Sequence, residues 1–142
     1  MKRKSPTAIN PVLRAVLAQQ WEQTAVTAQI QALIGGDPDK IADQAGRVVY
    51  VILGASLLDG IDPENLDVRI VRGAAGALYD LSGAGSVDEQ HRGAVVSGLQ
   101  ACARLCEVLK RKSMVDAACD LHFMLKCGDL TWKAFERVGA DA

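Results

Sequence analysis

An all-α fold, built as a compact single-domain bundle of five to six helices, is what this sequence predicts. Apolar residues recur at three- and four-residue steps through most of the chain, the spacing of a helical face. Asx-Pro pairs open the segments, because the Asx side chain accepts a first-turn amide and proline has none to satisfy. Glycines follow the apolar segments where helices would end. A chain of 142 residues suits a single core, burying roughly two-thirds of its unfolded surface. Residues 10–142 are therefore assigned to one domain, and residues 1–9 to a flexible basic tail carrying Lys2, Arg3 and Lys4.

The first helix is expected to open at Asn10-Pro11 and run to about Ile34, ended by Gly35-Gly36. Val12, Leu13, Val16, Leu17, Trp21, Ile30, Leu33 and Ile34 define its core-seeking face. Asp37-Pro38 opens the second, to about Asp59, with Gly60 as terminator. This segment is apolar nearly all round, with Ile41, Val48 to Leu53, Leu57 and Leu58, which marks it as the central helix. Asp62-Pro63 opens the third, to about Leu81, with Leu66, Ile70, Val71, Ala74 and Leu78 on its face. Ser86 with Glu89 forms a capping box for the fourth, reaching about Lys110. Ser113 and Asp129 cap two shorter helices, ending near Lys126 and Val138. Gly73, Gly76, Gly93 and Gly98 weaken helices three and four by roughly 0.5–1 kcal/mol each relative to alanine. Close approach of the two helices, within the monomer or across a dimer, offsets that loss.

Bulk chemistry narrows the function. Sixteen basic against 17 acidic residues leave a net charge of −1, so no whole-molecule field draws the chain to nucleic acid or anionic lipid. The start, Met1 to Pro6, is charged and lacks the apolar stretch of a secretory signal. The longest apolar run, Val48 to Leu58, is about half a membrane span and fits a buried helix better. Cys102, Cys106, Cys119 and Cys127 are then free thiols in a cytoplasmic protein.

Several groupings raise the question of chemistry. Cys102 and Cys106 lie four apart, and Cys119 and His122 three apart, so each pair shares a helical face. An antiparallel hairpin turning at Lys110 to Ser113 would converge all four on a tetrahedral zinc. Structural zinc sites mostly use tight Cys-x-x-Cys knuckles, however, and buried thiols are common in metal-free cores. Cys119 beside His122 is also the spacing of a thiol and its base, but a mid-helix position next to Asp120 does not lower a thiol pKa. His91 falls in a first helical turn as an ordinary surface residue. Gly83 to Ser86 precedes a helix as a phosphate loop does, without the preceding strand or lysine such loops use, and with Asp88 and Glu89 close behind. Asp59 with Asp62, and Asp116 with Asp120, are carboxylate pairs of the kind that more often cap helices.

Two surfaces remain. Lys110, Arg111 and Lys112 form a second basic cluster that, with Lys2 to Lys4, offers phosphate contacts. Lysines at the end of the fourth helix would equally complement its dipole. Leu130, Trp132 and Phe135 place aromatic anchors on the last helix, either an interface or a core closure. The sequence predicts no catalytic residue and no cofactor. Its first functional reading is a non-catalytic protein-binding or regulatory module, homodimeric, using Leu130, Trp132, Phe135 and Lys110 to Lys112. A nucleic-acid accessory protein acting through 2–4 and 110–112 is the second reading, and a zinc- or redox-responsive switch at Cys102, Cys106, Cys119 and His122 the third.

Overall fold

The computed structural model of the chain describes residues 11–82 and 84–126, and among these it contains five helices and no strand. The helices are α1 (Pro11–Ile34), α2 (Pro38–Leu58), α3 (Leu66–Leu81), α4 (Glu89–Cys106) and α5 (Arg111–Lys126). The sixth helix expected after Asp129, with the basic tail before residue 10, lies outside the described residues.

Glycine and Asx chemistry sets the end of α1 and both ends of α2 as expected, while Asn10, expected to open α1, lies outside the described residues. Gly35, at φ 66°, and Gly60, at φ 67°, occupy the left-handed region that glycine enters without steric cost. Beyond each, an amide reaches five residues back: Gly36 to the Gln31 carbonyl at 3.3 Å and Ile61 to that of Ser56 at 3.0 Å. Both helix ends are thus closed by the Schellman pattern. Asp37 caps α2 by accepting the Asp39 amide at 2.9 Å, with Pro38 in the first turn.

The next three starts are displaced from their sequence-based positions. Asp62-Pro63 makes a turn, in which Asp62 accepts the Glu64 amide at 2.9 Å. The Pro63 carbonyl, which a helix opening there would use, is taken by the Arg72 guanidinium. Asn65 then caps α3, accepting from Asp67 and Val68 at 2.9 and 3.3 Å. In α4 the cap is Asp88, which accepts the His91 amide at 2.8 Å, and not Ser86. That helix ends at Cys106, short of Lys110, and a turn carries the buried Leu109 into the core. Ser113 lies inside α5, not at its cap.

α2 is the hub. Twelve of its residues are buried, from Ile41 to Ser56, and all four other helices pack on it. Its 21 residues are long and apolar enough to cross a membrane by length and composition, and burial inside the bundle accounts for that apolarity. Around it, α3 and α4 form the closest pair. A methyl group on Gly98 would overlap that of Ala74, so the backbones touch at this point and only glycine fits. Gly73, Gly76 and Gly93 meet nothing within 4 Å, so close packing explains one helical glycine of the four. The close approach lies within one chain. α4 and α5 do not meet; each rests on α2.

α1 departs most from expectation. Among its described side chains the buried ones are Ala18, Ala28 and Ala32, with Trp21 and Ala25 packed beside the core. Of the face expected to be inward, Val12, Val16, Ile30, Leu33 and Ile34 are exposed, as is Val26. The reason is angular. Trp21 follows Val12 by nine residues, two and a half turns, so the two point in opposite directions. Alanines let α1 lie close against α2, and Val12, Val16, Val26, Ile30, Leu33 and Ile34 go outward, while the side chains of Leu13 and Leu17 lie outside the described ones.

Candidate functional site

The sequence-based sites fare unequally. Leu130, Trp132 and Phe135, with Lys2 to Lys4, lie outside the described residues. Lys110, Arg111 and Lys112 are exposed, but they open α5 and do not close α4, so the dipole there opposes their charge. Carboxylates compensate. Asp59, at the end of α2, accepts the Lys110 amide at 2.8 Å and the Ser113 hydroxyl, doing for α5 what an N-cap side chain would do. The Ser113 hydrogen bond, then the Lys110 amide and charge, hold the Asp59 carboxyl below the usual carboxylate range. Arg111 pairs with Glu22 of α1 at 3.3 Å. The helix terminus that would attract a phosphate is already occupied by this chain's own anion.

Cys102, Cys106, Cys119 and His122 do not converge, because α4 and α5 never pack together. Among the described residues, no three His, Cys, Asp or Glu side chains are grouped to hold a metal ion. Cys102 and Cys119 are buried and Cys106 is half-buried, and none of the three is in a disulfide. Burial pushes the Cys102 and Cys106 thiols upward, the reverse of what a nucleophile or metal ligand needs. His122 faces a cleft of about 70 Å³ between α1, α2 and α5, beside Trp21, Thr24 and Arg47. A second recess of about 20 Å³ lies on the other side of Trp21 and Ala118. Both fall far below the roughly 300–1,000 Å³ of small-molecule sites. The Trp21 indole N–H is buried there without a partner.

The carboxylates and the glycine loop serve the fold. Asp62 holds its turn, and Asp120 accepts the Tyr50 hydroxyl at 3.0 Å, tying α5 to α2. The Ala84 amide donates to the Leu81 carbonyl at 3.0 Å, extending the end of α3 rather than cradling an anion. His91 does more than expected of it. Its ring meets Asp88 at 2.8 Å and Asp80 of α3 at 3.4 Å, locking the start of α4 to the end of α3.

What remains is the outward face of α1, a surface that pattern reading of the sequence did not isolate. Val12, Val16, Gln19, Gln23, Val26, Ile30 and Leu33 alternate in steps of four and three, and all seven are exposed. Val26 is 60% exposed, Ile30 53%, Leu33 66% and Ile34 70%. Such alternation keeps side chains on one narrow stripe, the seam of a coiled coil. Arg14 and Glu22 are the only charged residues in the helix. The signal was present in the sequence, as this heptad spacing, but it emerges only when Trp21 and the alanines are assigned to the opposite face. No protein-family model, no curated protein and no solved structure matches the chain.

Proposed function

We propose that this chain is a non-catalytic interaction module that binds a protein surface through the outward face of α1, acting as an inhibitor- or adaptor-like regulator. One observation supports this above all: α1 buries Ala18, Ala28 and Ala32 and presents Val26, Ile30, Leu33 and Ile34 to solvent. A helix selected only to close the bundle would do the reverse. Contiguous exposed apolar surface on a folded domain marks contact sites. The thiols of Cys102, Cys106 and Cys119 fit a reducing, cytoplasmic setting.

Nucleic-acid binding through Lys110, Arg111 and Lys112 has weaker support, since Asp59 and Glu22 partly neutralise that cluster. The test is a photocrosslinking amino acid placed at Val26 or Ile30 in the native cell, with the exposed loop residue Glu64 as control. Protein adducts at 26 and 30 but not at 64 are the expected result. Equal yields at all three positions, or none at any, would remove the proposal.

A further inference from the structure

We infer that the partner seated on this face is a second copy of the chain, α1 packing against α1 through Val16, Gln19, Gln23, Val26, Ile30 and Leu33. The inference rests on the interaction reading and gives its surface an occupant.

The seam is self-complementary. Its steps of three and four residues match the 3.5-residue period that lets two helices wind around each other with knobs in holes. In the middle of an otherwise aliphatic stripe lie two glutamines, and an amide carries both donor and acceptor, so it satisfies a copy of itself. Because Gln19 and Gln23 sit centrally, glutamine meets glutamine whichever way the second helix runs. Parallel helices match each to its own equivalent. Antiparallel helices match Gln19 to Gln23 and Val16 to Val26. A charged pair at those positions would instead demand an opposite charge from an unlike partner.

The flanks agree. Ala15, Gln20, Glu22, Thr27 and Gln29 border the seam, and no row of like charge stands against self-association. Glu22 is matched within the chain by Arg111. The Thr27 hydroxyl is turned back to the Gln23 carbonyl at 3.0 Å, so covering it strands no donor. An anionic lipid surface would call for lysine or arginine along these flanks, and they hold none. Val16, Val26, Ile30, Leu33 and Ile34 expose on the order of 500 Å² together, and with the glutamines the face approaches the roughly 800 Å² per partner of a specific interface.

Sedimentation velocity on the full chain tests the inference, from about 1 to 100 µM. Wild type sediments as a dimer. Ile30→Glu, at an exposed position, keeps its helical circular dichroism and dissociates, its Kd raised about 100-fold or more by a charge placed in an apolar seam. Gln19→Leu with Gln23→Leu tightens association or raises its order, which a purely structural role for these residues would not produce. Glu64→Lys leaves the dimer intact. A wild-type monomer at the highest concentration, whether α1 stays bare or residues 127–142 of the same chain cover it, overturns the inference, as does an Ile30→Glu dimer of unchanged Kd. Should the purified chain be monomeric while crosslinks at 26 and 30 capture a different protein, the self-pairing falls and the interaction reading stands.

Discussion

The Asp59 carboxylate, at the end of α2, accepts the backbone amide of Lys110, at the start of α5, at 2.8 Å across 51 residues of sequence. Through the same side chain it accepts the Ser113 hydroxyl, and so one residue closes one helix and opens another. Asp59→Ala should lower stability by about 1–2 kcal/mol, the cost of an N-cap. The depressed pKa of Asp59 sets the pH window: its stabilisation is present above about pH 3.8 and is lost as the pH falls through the lower folded-state value. Urea unfolding of wild type and variant across acidic pH checks both, and the two curves should converge at the acid end.

The helical glycines divide into two classes. Gly98→Ala, which drives a methyl into Ala74, should destabilise by about 1–3 kcal/mol. Gly73→Ala and Gly93→Ala, in open helical positions, should each stabilise by about 0.5–1 kcal/mol. Thermal melts that shift all three in the same direction would contradict the α3–α4 contact described above.

His91 links pH to the α3–α4 connection. Its hydrogen bond to Asp88, with a weaker one to Asp80, raises the imidazole pKa in the folded state. Stabilisation from the imidazolium is therefore complete below about pH 6.5 and fades as the pH climbs through the higher folded value. Stability of the wild type should decline between roughly pH 6 and 8, and His91→Gln should flatten that slope. An NMR titration placing the His91 midpoint at or below 6.5 would refute the pairing.

Thiol chemistry offers a fourth measurement. Cys106 is half-buried, whereas Cys102 and Cys119 are enclosed. Under native conditions a disulfide reagent should modify Cys106 well before Cys102 or Cys119, and slowly even there, because burial raises its pKa. Mass spectrometry of partially labelled protein gives the order.

The helical class and the first two helices were legible in the sequence because their signals are local. Asp37-Pro38, Gly35 and Gly60 act within a few residues of themselves, and no distant partner competes with them. The start of α3 was not legible, since Arg72, nine residues on, takes the Pro63 carbonyl and shifts the cap to Asn65. Nor was the zinc grouping excluded by spacing alone. Cys102 with Cys106 and Cys119 with His122 each share a face, but only the path of the 107–110 turn decides whether α4 and α5 meet. The outward face of α1 was hidden by pooling: a 24-residue helix with apolar residues on two sides gives one continuous periodic pattern, and Trp21 drew the aliphatic stripe toward the wrong side.

Because every other helix leans on α2, its centre is uncovered only when the whole shell comes away. The backbone amides of Val49 to Leu53 should therefore exchange hydrogen only when the whole molecule opens, at the same free energy from residue to residue. Opening of that kind leaves α3 and α4, the closest pair, as the part of the shell with the most packing of its own to outlast the centre.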